Sequence, residues 1–112
     1  MNYYHLWFNR ADHVKDSELS PRIERFLAGL RERDLIAGWK FTRRKLGFGP
    51  SELGEFHVVI EVFDLTQLDR VFEPMAKPDP DIEALHQPVY SSVKDLRTAL
   101  YRDYPDRFSK SK

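Results

Sequence analysis

The chain has 112 residues, 41% hydrophobic and 13% aromatic, and no cysteine. This is one domain with enough apolar content for a core, which excludes a disordered segment, disulfides, thiolate metal sites and a cysteine nucleophile. Eighteen Lys and Arg balance eighteen Asp and Glu, so no global field draws the chain to nucleic acid or to an anionic membrane.

The N-terminus, Met-Asn-Tyr-Tyr-His, lacks the basic and apolar regions of a signal peptide. No apolar run reaches the length of a membrane span. A cytoplasmic protein is the expectation. Tyr3 to Asn9 then alternates as a strand, with Tyr4, Leu6 and Phe8 on one face and Tyr3, His5, Trp7 and Asn9 on the other. Leu19, Ile23, Phe26, Leu27 and Leu30 recur at helical spacing, with Arg22, Glu24, Arg25, Arg31 and Glu32 on the solvated side. Two starts are open for this helix: Ser20 as N-cap with Pro21 at the first helical position, or Asp16 or Ser17 a turn earlier.

Trp39 to Leu46 reads as the second strand. Trp39, Phe41, Arg43 and Lys45 share one face, and Lys40, Thr42, Arg44 and Leu46 share the other. The glycine-containing loop 47–54 joins it to the third strand as an antiparallel hairpin. That loop lacks a phosphate-binding lysine and leads into a strand, so a phosphate cradle fails on context. Gly54 to Phe63 is the most strand-like stretch of the chain. Phe56, Val58, Ile60 and Val62 make an unbroken apolar face, while Glu55, His57, Val59, Glu61 and Phe63 make a mixed one. Such a strand sits centrally, with the core on one side and a second surface on the other.

Asp64 to Met75 is the second helix, striped by Leu65, Leu68, Phe72 and Met75, with Thr66 and Asp69 as its capping box. Lys77-Pro78-Asp79-Pro80 breaks the chain. Ile82, Leu85, Val89 and Val93 keep a helical period, with Pro88 forcing a kink or a restart. Beyond Asp95 the period leaves helix and strand open. Topology favours a strand from Leu96 to Arg102, which supplies the first strand with a neighbour. Residues 1–108 form the domain and 109–112 a frayed tail.

The order is βαββαβ with an extra helix before the last strand: an α+β, ferredoxin-like antiparallel sheet with its helices on one face. This order, the size and the aromatic open face resemble the dimeric α/β-barrel proteins, in which two ferredoxin-like subunits pack sheet against sheet. More narrowly, the chain resembles an uncharacterised bacterial family within that group. The likeness rests on Tyr4-His5 with Trp7-Phe8, on Trp39 to Gly47, on Leu53 to His57 and on Ala99 to Pro105. It implies a homodimer. The wider superfamily includes cofactor-free monooxygenases, haem-degrading enzymes and stress-responsive proteins, so the fold does not choose an activity.

With the apolar faces turned to the helices, His5, Trp7, His57 and Glu61 converge on the open side. Arg43 or Arg44 reaches in from the edge strand, and Tyr101 borders the first strand. Two imidazoles, a carboxylate and a guanidinium suffice for acid–base chemistry or for holding an anion. One reading is therefore a small-molecule site, in the form of a cofactor-free oxygenase or an isomerase-like enzyme. His57 or His5 is then the base and Glu61 its orienter, with Trp7, Arg43, Arg44 and Tyr101 as ligand-binding groups. The favoured reading of the same face is the polar seam of a dimer anchored by Trp7, with which a ligand site is compatible. A non-catalytic structural or stress-related dimer is the alternative.

His5, His57 and Glu61 carry metal-ligating atoms, but they come from separate strands without a spacing motif, so neither a metal nor a cofactor is expected. His86 reads as a helix-surface histidine rather than a haem ligand. Aromatics interleaved with cations over 39–45 suit single-stranded nucleic acid. The carboxylates of Glu55 and Glu61 and the zero net charge disfavour it.

Overall fold

The alternating and helical stretches fold into a four-stranded antiparallel sheet with helices packed on one face. A computed structural model describes residues 1–76 and 80–105, the side chains of 73–76 excepted. The break expected at Lys77 to Asp79, the stripe position Met75 and the tail 109–112 lie outside the described residues. The elements are β1 (Asn2–Arg10), α1 (Asp16–Glu32), β2 (Gly38–Arg43), β3 (Phe56–Val62), α2 (Leu65–Ala76), α3 (Pro80–Tyr90) and β4 (Val93–Arg102). The sheet order is β2-β3-β1-β4. The two strands richest in apolar and aromatic residues, β1 and β3, are thus central. This is the ferredoxin-like plan, with α3 as the extra helix.

The core lies between the sheet and the helices. Phe8, Phe56, Val58, Ile60 and Val62 from the sheet meet Leu19, Ile23, Leu27 and Leu30 of α1, Val71 of α2 and Ile82 of α3, all buried. Among the described residues no helix is long and apolar enough to cross a membrane.

Helix α1 takes the earlier of its two possible starts. The Glu18 carboxylate accepts the Lys15 N–H at 2.9 Å and so satisfies a donor at the helix entry. At the other end Asp34 has φ 59°, and the Leu35 N–H donates to the Leu30 carbonyl at 3.0 Å. That is a Schellman closure with an L-residue where glycine is preferred. Asp34→Gly is expected to raise stability by about 0.5–1 kcal/mol, read as a higher urea midpoint at unchanged slope.

The cap of α2 is built two residues before the expected Thr66 and Asp69. Asp64 Oδ1 accepts the Gln67 N–H at 2.8 Å, and Gln67 Oε1 accepts the Phe63 N–H at 2.7 Å. Asp64 is the residue at which the chain leaves the sheet, so its carboxylate is the one beside the unpaired first-turn donors.

Strand β4 starts three residues earlier than expected, and Val93 belongs to it rather than to a helix. The hydroxyls of Ser91 and Ser92 both donate back to the Pro88 carbonyl, which closes α3. Ser92 is fully buried, accepts Arg22 Nη1 at 2.8 Å, and its carbonyl takes the Ala11 N–H at 2.8 Å. A register shift between Trp7 and Asn9 then marks a bulge, with Asp95 at φ 58° and bonded to Asn9 Nδ2 at 3.1 Å. An extra residue at a bulge breaks the two-residue alternation. Val93 and Leu96, three apart, both line the helix side of the sheet. A helical period over 89–96 is the trace of that bulge.

Candidate functional site

The ladder fixes which side chains share the open face. Directly paired residues point the same way, so three rows cross the sheet from β2 to β4. The first is Gly38, Glu61, Tyr3 and Tyr101. The second is Lys40, Val59, His5 and Ala99, and the third is Thr42, His57, Trp7 and Arg97. The centre of the face is neutral and largely aromatic, and the charges stand at its margins.

His5 and His57 are diagonal neighbours on the two central strands. Their rings meet through Nδ1 of His5 and Nε2 of His57, 2.9 Å apart, so one donates and the other accepts. Trp7 lies parallel to His57, with ring centroids 4.8 Å apart and planes 2° from parallel. Tyr101 sets its edge against His5 at 4.8 Å. Partial burial holds the pKa of both histidines below the ordinary value, and for His57 the nearby His5 charge adds to the effect. Both effects favour the neutral form of the pair.

The structure brings together His5, His57, Trp7 and Tyr101, and separates the other expected members. Glu61 shares the face but stands four residues along β3 from His57, about 13 Å. Its carboxylate lies against Gly38 on the outer strand and bonds to neither histidine. It is not their orienter; each histidine orients the other.

Arg43 is opposite Phe56 and so belongs to the helix side. Its guanidinium lies 5.1 Å over the Phe56 ring and pairs with Asp16 at 3.1 Å and Glu55 at 2.6 Å. Arg44 borders a small recess beside Trp7 and His57, but its Nη2 donates to the carbonyls of Pro50, Leu53 and Gly54. That nitrogen closes the hairpin. Glu61 is a diagonal neighbour of His5 but bonds to neither ring, and with Arg43 paired to carboxylates the histidine pair lacks the hydrogen-bonded companions expected of an acid–base site.

The aromatics of 39–45 also divide between the two sides. Trp39 and Phe41 pair with Ile60 and Val58 and pack against the core, leaving Lys40 and Thr42 on the open face. β2 therefore presents no stacking platform for bases.

A second site lies on the other side of the sheet, unanticipated from the sequence. An apolar cavity of about 210 Å³ opens between Tyr4, Leu6 and Val58 of the sheet and Phe26, Phe72, His86, Val89 and Tyr90 of the helices. Phe72 meets Tyr4 edge to face at 5.5 Å. His86 lies between Phe26 at 5.5 Å and Tyr90 at 6.0 Å and is half-buried beside the cavity, whereas the sequence placed it on the helix surface. Ile82, Leu85, His86 and Val89 form one helical stripe, which was the available signal. Among the described residues the lining contains no carboxylate, lysine or arginine. Its polar groups are the His86 imidazole and the phenols of Tyr4 and Tyr90.

The sequence profile of a family of unknown function, DUF6614, matches residues 1–112. The chain belongs to that family. No curated protein matches the DUF6614 chain in sequence. Its fold recurs in SnoaB of Streptomyces nogalater, described as a cofactor-independent oxygenase. The TM-score is 0.70 at 9% identity, over 95% of each chain. It recurs in At3g17210 of Arabidopsis thaliana, with a TM-score of 0.69 at 12% identity over 95% of this chain and 98% of that one. A dimeric protein of unknown function and ferredoxin-like fold from Bacteroides fragilis matches with a TM-score of 0.59 at 12% identity, over 91% and 95%. At these identities the likeness is one of fold.

Proposed function

We propose that this DUF6614 protein is a homodimer, paired through its open sheet faces, that binds a compact, uncharged, largely apolar or aromatic molecule in the cavity behind the sheet. The cavity carries the reading. At about 210 Å³ it exceeds the ~150 Å³ that suffices for benzene in an engineered protein core. With no cation among its described lining residues, it favours a neutral ligand over the anionic one considered from the sequence. His86 and the two phenols are placed to orient a single polar substituent.

The pairing rests on the open face. Its neutral aromatic centre, ringed by charges of both signs at Lys40, Arg97 and Glu61, suits a second copy of itself. Four strands about 4.8 Å apart and some seven residues long give a flat face of ~450 Å² per protomer, ~900 Å² in total, so the corrugation of its side chains must add to this area to reach the ~1,200 Å² at which stable interfaces begin. Dimeric fold neighbours support the same reading.

The cavity is tested with 2-naphthol as a fluorescent probe. Val89→Phe places a phenyl ring in the space while leaving the open face untouched. Saturable binding to the wild-type protein, weakened at least tenfold in Val89→Phe with unchanged circular dichroism, is the expected result. Equal affinity for both proteins, or no saturation in either, removes the cavity as the site and leaves a non-catalytic dimer. Oxygen consumption with a bound hydroxyaromatic then separates an oxygenase from a carrier.

A further inference from the structure

We propose that the His5–His57 pair makes association through the open face proton-dependent: the protomers join while the pair is neutral and separate when it is charged. The inference rests on the open face being the dimer interface.

The geometry places the pair at the centre of that face. The two rings belong to the two central strands, are bonded at 2.9 Å, and are covered by Trp7 on one side and the edge of Tyr101 on another. A partner sheet laid on this face removes what water still reaches them. A neutral pair tolerates this, because each inward nitrogen already has its partner. A charged pair does not, since burying an uncompensated charge is costly.

Among the described residues no carboxylate is bonded to the pair. On β1 the pair is flanked by Tyr3 and Trp7, and on β4 by Ala99, Tyr101 and Arg97. From β2 it faces Lys40, at the end of the His5 row, and Thr42, at the end of the His57 row. On β3 Val59 stands opposite His5, and Glu55, which borders the same recess as Trp7 and His57, is paired with Arg43 at 2.6 Å; Arg44 beyond the end of β2 is held by loop carbonyls. Glu61 is the one carboxylate in the three rows, and it lies against Gly38 without bonding to His5. Two of these groups, Lys40 and Arg97, are cations at the ends of the pair's rows, which add to the cost.

The direction follows from linkage. Burial already depresses both pKa values in the single protomer, and a covering sheet depresses them further. The associated state then binds fewer protons than the free one. Association is at full strength above the free protomer's histidine pKa values, which lie below the ordinary value of about 6.5, and weakens as pH falls through them, by at most about tenfold per pH unit for each imidazole that charges.

Sedimentation velocity over a dilution series at pH 7.5, 6.5 and 5.5 tests this on the full chain. The dimer dissociation constant is expected to rise at least tenfold from pH 7.5 to 5.5 in the wild type. The double variant His5→Asn with His57→Gln keeps polar atoms near Nδ1 and Nε2 but does not titrate, so its dissociation constant should stay level. A wild-type constant that does not move with pH overturns the switch and leaves the dimer standing. An equal shift in the double variant assigns the effect to other groups and overturns the switch as well. A monomer at all three pH values removes the interface itself, and the proposal with it. Should the double variant fail to fold, imidazole titration by NMR at low and high protein concentration decides. The pair's pKa must fall as the dimer fills.

Discussion

Replacing Trp7 by alanine is expected to turn the proposed dimer into a folded monomer at micromolar concentration. Trp7 stands in the third row of the open face between His57 and Arg97, and its ring lies flat against His57 at 4.8 Å. A tryptophan covers ~150–250 Å² of contact surface, more than any other side chain on this face. When such an anchor sits near the centre of an interface, its truncation typically costs about 2 kcal/mol or more, about a 30-fold rise in dissociation constant. The protomer itself loses little. Trp7 is half-buried on the side away from the helices, so no core cavity forms behind it. Light scattering on a size-exclusion column reads the mass, and circular dichroism confirms the fold. Trp7→Glu should act more strongly, because it adds a charge to a face that pairing takes out of water. If Trp7→Ala stays dimeric with an unchanged dissociation constant, the interface lies elsewhere. The next candidate is the flank of β4, where Leu96 and Leu100 are each about half exposed.

Much of this arrangement was legible in the residues. The alternation of β1 and β3 states which side faces the core, and the stripe of α1 is unbroken, so order and layering follow from period alone. The same rule assigned Arg43 correctly, since it shares parity with Trp39 and Phe41. Placing its guanidinium on the open face set that rule aside in favour of chemistry. Glu61 was put on the right face, but a strand carries residues four apart too far from each other for one carboxylate to serve His57. The bulge at Asp95 hid the start of β4, because an extra residue converts a two-residue period into something close to a helical one. The cavity left no local signal. Its size depends on how far α3 stands from the sheet, and that is set by the packing of α1, α2 and α3 together. Only the place of His86 beside the cavity was available, from its stripe with Ile82, Leu85 and Val89.

Gly54→Ala is expected to cost about 3 kcal/mol or more, a large share of the roughly 5–15 kcal/mol that holds a domain of this size. Gly54 is buried where the hairpin turns back into β3. A Cβ built on it would lie 2.3 Å from the carbonyl carbon and oxygen of Phe8 and 2.7 Å from its Cα. Those atoms are the backbone of a central strand, so no side-chain rotation relieves the contact. The chain on either side is also pinned. The Glu55 N–H donates to Asn9 Oδ1 at 3.0 Å, and the Glu55 carbonyl accepts the Arg44 N–H at 2.8 Å. Relief therefore requires moving β3 relative to β1, which disturbs the Phe8–Phe56 and Trp7–His57 pairs next along the ladder. The melting temperature should fall by roughly 10 °C or more. Gly47→Ala is the control. Gly47 has φ +70° with nothing within 4 Å of an added Cβ, so it tests backbone conformation alone and should cost about 1 kcal/mol. If Gly54→Ala melts no lower than Gly47→Ala, the close approach to Phe8 does not constrain the hairpin. If it melts far lower, any folded fraction should also dimerise more weakly, because the contact that excludes a methyl group at Gly54 is the one that seats His57 beside Trp7.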